Sequence, residues 1–253
     1  MSPTQMCSAI SAGLAKLKPG EPLVAQAAKG KTWKALYDDC DRTDRFAGFA
    51  LPKHKGKQLR CSSDANRVAF VSRYSDGTVV FNSKAAVDAD GSPVIGGSGW
   101  PNNVETWLTF DKSSRDHFVN AELVPFIVMP LPPRDKPDLS LMKDTGVGKG
   151  DLAVVVKGDR CSLAIVGDAG PFFRLGEASL RTHEDLGNPQ CAVQGQSPCR
   201  ALKKGSGVGI PSGVTFIVFP GTRPKPLESQ TVNAVADKAA GDRVLKFLST
   251  YAR

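Results

Sequence analysis

From Arg67 onward the chain is dominated by short apolar runs broken by turn residues. Residues 68–72 (VAFVS) and 78–81 (TVVF) are β-prone and enclose Ser75-Asp-Gly, a hairpin turn signal, so they predict two paired strands. Residues 123–129, 152–157, 162–166 and 214–219 are rich in Val and Ile and bounded by Gly, Pro or Asp. Such runs are too short and too β-branched for helices and predict buried strands. The two ends differ. Residues 4–17 form a helical run that stops at Pro19-Gly20. Residues 230–251 place Val232, Val235, Ala236, Ala239, Leu245 and Leu248 at helical spacing, which predicts a C-terminal amphipathic helix. Residues 31–44 mix aromatics with charge and are assigned no element. Gly- and Pro-rich stretches at 96–103 and 131–137 read as loops. The expected architecture is mostly β with peripheral helices at both ends. It divides into an N-terminal extension packed on the core (1–60), a β-barrel domain (61–225) and a C-terminal helix of that same domain (226–253).

Composition narrows the function classes. With 253 residues, 41% of them hydrophobic, the chain can bury a proper core. The net charge of +8 reads as a soluble surface with spare lysines or as a sign of a polyanionic partner. The cations are spread along the chain without a long run, so no nucleic acid is expected as partner. No segment reaches the roughly 18 apolar residues of a membrane span, so no membrane insertion is expected. The start of the chain shows no sustained apolar signal-peptide region. Six cysteines without a CxxC pair predict an oxidising compartment, secreted or periplasmic, with up to three disulfides. Cys191 and Cys199, flanking a polar loop, are the easiest pair to join. His117 and His183 lack ligand-spaced neighbours and read as surface or turn residues. No metal and no cofactor are expected, and the chain is expected to act as a monomer. No Gly-x-Ser-x-Gly elbow is present. The Gly205-Ser-Gly-Val-Gly stretch reads as a plain loop.

The informative chemistry lies at residues 164–179 (AIVGDAGPFFRLGEAS). An apolar strand runs into Asp168, glycines and Pro171 turn the chain, and Glu177 follows behind another glycine. Glycines beside a carboxylate let a bulky ligand approach the backbone. Two carboxylates on one β-turn-β unit can serve glycoside hydrolysis, one donating a proton and one activating water or attacking carbon. Spacing alone also fits a turn Asp and a surface Glu. Asp88 and Asp90, before Gly91, are candidates for sugar binding, or for a capped turn. A calcium loop would need more oxygens than this pair supplies. Trp100 is a candidate sugar-stacking residue or part of the core. Asp151 is a candidate cleft residue or a strand-start turn cap.

Several of these segments, in the same order, resemble the family 75 chitosanases: 87–93 (VDADGSP), 121–130 (AELVPFIVMP), 150–155 (GDLAVV), 165–171 (IVGDAGP), 175–179 (LGEAS) and 216–221 (FIVFPG). The resemblance spans about residues 67–221. It implies an inverting endo-chitosanase that cleaves β-1,4 linkages in a glucosamine polymer, with Asp168 and Glu177 as its catalytic carboxylates. Some family members carry a longer insertion between the two. The unit is also similar to that of double-psi β-barrel hydrolases, which implies a six-stranded double-psi-like barrel core. By that analogy Glu177 is the acid and Asp168 its base or orienting partner. Two alternatives remain open. Peptidoglycan is anionic and suits the +8 charge, which fits a muramidase or lytic transglycosylase, including a secreted antibacterial effector. A non-catalytic carbohydrate-binding module would bind sugar without turnover.

Overall fold

The β-branched runs pair into one sheet that closes on itself. The computed structural model describes residues 1–95, 103–110, 117–205 and 208–252. Helix α1 (Pro3–Leu14), strand β1 (Glu21–Pro22) and helix α2 (Trp33–Thr43) come first. Two small hairpins follow, β2 (Arg45–Phe46) with β3 (Phe49–Ala50) and β4 (Lys53–His54) with β5 (Lys57–Gln58). The central strands are β6 (Phe70–Arg73), β7 (Val79–Asp88), β8 (Phe126–Pro130), β9 (Leu152–Lys157), β10 (Arg160–Gly170), β11 (Glu177–Ser179) and β12 (Ile210–Phe219). Between them lie the short helices α3 (Leu141–Thr145) and α4 (Leu180–Asp185), and α5 (Val232–Tyr251) ends the chain.

The sheet order is β1-β6-β7-β11-β8-β10-β9-β12, and β12 pairs back onto β7. Six strands therefore form a closed barrel, with β6 and β1 as two extra strands beside β7. Closure removes the unpaired edges that an open sheet would expose. Within the ring β7 runs parallel to β11, and β8 parallel to β10; the other pairs are antiparallel. The mostly-β architecture, the six-stranded barrel and the helices at both ends agree with the expectation from sequence.

Alternation sorts the strand residues into two buried sets. Phe81, Ile127, Val155, Val166, Ala178 and Phe216 come from all six barrel strands and share one cluster, with Phe81 and Phe216 stacked at 4.6 Å. A shared cluster fed by every strand of a closed ring is the barrel interior. The alternate residues, including Val154, Ile165 and Ile217, pack with Ile10 of α1 and with Val244 and Phe247 of α5.

The sequence reading assigned nothing to residues 31–44, yet α2 forms there. Thr32 caps it, and Trp33, Leu36, Tyr37 and Cys40 fall on one face and are buried in the interior cluster. Their i, i+3, i+4, i+7 spacing is a helical signal that the scattered charges obscured. The N-terminal sixty residues thus contribute core as well as covering it. Disulfides Cys7–Cys161, Cys40–Cys61 and Cys191–Cys199 tie α1 to β10, tie α2 to the end of the hairpin segment, and close the polar loop. Three intramolecular disulfides are consistent with an extracellular or periplasmic protein. Among the described residues, no helix is long and apolar enough to cross a membrane.

Candidate active site

Asp168 and Glu177 reach one face of the sheet through register. Strand β8 lies between β10 and β11, and its Val128 is opposite Asp168 on one side and Glu177 on the other. Directly paired residues project to the same face. The two carboxylates therefore flank Val128, on strands two inter-strand spacings apart, about 10 Å between backbones. The register of β10 shifts between Val166 and Asp168, a bulge at Gly167. Val166 points into the barrel interior. Without the bulge Asp168 would follow it there, because side chains alternate with period two. Gly167 permits the bulge because an added Cβ would lie 2.5 Å from the Phe126 Cβ.

Strand β7 supplies the rest of the face. Glu177 is opposite Ala86 and Ser179 opposite Asp88, so Lys84, Ala86 and Asp88 share the face of Glu177. Asp88, Asp90 and Asp168 each bring a carboxylate oxygen within 4.8 Å of the others. Asp88 Oδ1 accepts the Asp90 N–H at 2.8 Å, and Asp90 Oδ1 accepts the Asn103 N–H at 2.6 Å. The pair thus caps its own turn and also lies beside Asp168. Three carboxylates could share a cation, each offering one oxygen at that spacing, with further ligands needed to complete a calcium shell.

Burial sets the electrostatics. Asp168 is 6% exposed, and its carboxyl is pushed up to about 7 by burial. Backbone hydrogen bonds from Trp107 (2.7 Å) and Ala169 (2.8 Å) to Oδ1 oppose that shift, while Asp90 and Glu177 add to it. Asp88 is held well above the usual carboxylate range by burial, then by Asp168 and Asp90. Glu177 is raised by burial, against the pull of Arg174 and Lys84 toward its anion. The Arg174 guanidinium stands 3.8 Å from Glu177 Oε1 and also pairs with Asp64. Lys84, 3% exposed, donates to the Asp64 carboxylate at 2.6 Å and to its carbonyl at 2.8 Å. Behind this network Asn66 is fully buried and accepts the Leu175 N–H at 2.7 Å, fixing the segment that delivers Glu177. Gly170 leaves room for the Glu177 carboxylate, since an added Cβ would lie 2.7 Å from Oε2.

The other sequence candidates separate from this group. Asp151 is 3% exposed, and its carboxylate accepts N–H groups of Gly148, Gly221, Thr222 and Arg223 at 2.8–3.1 Å. It ties two turns together, the turn role rather than the cleft role. Trp100 lies outside the described residues. His183 corrects the surface reading. It is fully buried on α4, its Nε2 meets the Ala86 carbonyl at 3.1 Å, and burial pushes its pKa down to about 4. It braces β7 at the residue opposite Glu177. Lys84, Arg174, Asp64 and Trp107 join the site without a motif in the sequence to mark them. A lysine inside the apolar run of β7 was the one local signal for Lys84. Trp107 acts through its backbone N–H, which no side-chain pattern announces. No family model matches the chain, and no curated protein matches it in sequence.

Proposed function

We propose that the chain is an inverting endo-glycoside hydrolase that cuts β-1,4 linkages in a glucosamine-containing polysaccharide, as the family 75 chitosanases do. The observation that carries this is the pair Asp168 and Glu177 on one sheet face, both desolvated and both raised. Inversion requires one carboxyl that keeps a proton for the leaving oxygen and one carboxylate that takes a proton from the attacking water on the opposite face. The electrostatics support a division opposite to the one implied by analogy. Asp168 keeps a proton up to about pH 7; burial raises Glu177 too, but Arg174 and Lys84 offset part of that rise toward its anion. Asp168 is then the acid and Glu177 the base. Asp88 and Asp90 extend the acidic face toward the sugar amines.

Reducing-end release from chitosan by the wild type, Asp168→Asn and Glu177→Gln tests the activity; equal rates in all three would sink the reading. A substrate with a nitrophenolate leaving group needs little proton donation. Asp168→Asn should still turn it over and Glu177→Gln should not, and the reverse pattern exchanges the roles. The net charge of +8 favours a second substrate, anionic peptidoglycan. Muropeptide release from purified sacculi, without release from chitosan, would select it. Three disulfides support secretion or a periplasmic location.

A further inference from the structure

The positive charge is unevenly placed. Residues 45–61 hold Arg45, Lys53, Lys55, Lys57 and Arg60 and no Asp or Glu, so five of the net eight positive charges sit in seventeen residues. This segment forms the double hairpin β2–β5. Its base is firmly held: Phe46, Leu51 and Cys61 are buried in the core, and Cys61 is bonded to Cys40 of α2. Lys55 and Gly56 at the tip of the second hairpin both have positive φ, 48° and 76°, the geometry of a tight hairpin turn. Lys53, Lys55, Lys57 and Arg60 are all exposed, and none forms an ion pair among the described residues. The nearby Asp44 carboxylate accepts the backbone N–H and hydroxyl of Ser62 and also feels the charge of Arg60.

The base of the hairpin also adjoins the segment that carries the candidate carboxylates. The Phe46 ring meets Phe172 edge-on at 5.5 Å, and Phe172 lies in the turn from Asp168 to Glu177. Lys136 sits over the exposed Phe49 ring at 5.1 Å and carries the positive field toward the loop after β8. Like charges without salt-bridge partners repel one another and gather counterions, which a bound polyanion releases.

We propose that the double hairpin is a docking arm for an acidic polysaccharide, holding a carboxylate-bearing glycan near the Asp168–Glu177 face. Choosing a glycan over other polyanions rests on the glycoside-hydrolase reading of that face; the binding does not. An acidic matrix polymer held there would keep the enzyme beside its target.

Fluorescently labelled hyaluronan is the probe, titrated into the full chain at about 20 mM and about 150 mM salt, where screening differs strongly. The wild type should bind, and affinity should fall about tenfold or more between the two salts. The variant K53Q/K55Q/K57Q/R60Q should bind at least about tenfold more weakly, with a shallower salt dependence. A control, K16Q/K204Q/K238Q/K246Q, removes four exposed lysines elsewhere and should bind as the wild type does. Equal loss in both variants would overturn the arm by pointing to net charge alone. No binding by the wild type at low salt would do the same. Single-stranded DNA bound as tightly as hyaluronan would overturn the glycan preference. Because the readout is binding without turnover, a failure of the hydrolase reading leaves this result interpretable.

Discussion

Strands β7, β8, β10 and β11 carry two opposite chemistries one residue apart. On the inner face Phe81, Ile127, Val166 and Ala178 are apolar and enclosed by the barrel. On the other face Lys84, Asp88, Asp168 and Glu177 form a desolvated charged group around Val128. The inner face stabilises the fold through burial, about 25 cal/mol per Å² of apolar surface removed from water. The charged face does the reverse. Its carboxylates ionise only at a cost, which the surrounding barrel has to offset. Such a division, a rigid apolar scaffold holding a strained polar group, is the usual trade between stability and activity.

The comparison predicts different failures on the two faces. On the proposed hydrolase reading, the largest effect should come from Glu177→Gln or Asp168→Asn, each lowering kcat by about 10³-fold while the midpoint of thermal unfolding stays near or above that of the wild type. On the inner face Phe216→Ala should cost about 3–5 kcal/mol of stability. Urea unfolding measures that, and the folded fraction should keep the wild-type pH profile. A shifted profile there would mean that the two faces are not separable.

Gly170→Ala probes the boundary. Its Cβ would press on Glu177 Oε2, so kcat should fall about 10–100-fold with little change in melting temperature. If stability fell instead and kcat held, Glu177 would not depend on that space.

The smallest effect concerns pH. Burial raises the folded pKa of Asp168 to about 7, from the ordinary aspartate value of about 3.9. The stability linked to its protonated form is complete below about pH 4 and is lost as pH rises through about 7. Asp168→Asn should therefore stabilise the protein by on the order of 2 kcal/mol at pH 8 and by almost nothing at pH 3.5. A stabilisation equal at both pH values would detach the effect from ionisation.

Legibility in the sequence followed the range of the interaction. Residues 152–157 were read as a strand and form β9 over the same span, because β-branching and bounding turns are local. The hairpin of β6 and β7 follows its Asp76-Gly77 turn for the same reason, Asp76 Oδ1 accepting the Thr78 N–H at 2.9 Å. Cys191–Cys199 was legible because eight residues separate the partners. Cys7–Cys161 was not, since 154 residues do. His183 looked ordinary because its partner is the Ala86 carbonyl, a backbone group from another element. Asp151 looked like a possible cleft residue until its four N–H partners appeared, three of them more than sixty residues away.

The sequence alone determined the strand-forming runs, the terminal helices and the Gly-flanked carboxylates, all set by periodicity and backbone preference within a few residues. Only the tertiary structure decided that Asp168 faces Asp88 and Glu177. That meeting depends on parallel pairing of distant strands and on one bulge at Gly167, which together choose the face each carboxylate occupies. It depends equally on the burial of that outer face, which raises the proton affinity of Asp168.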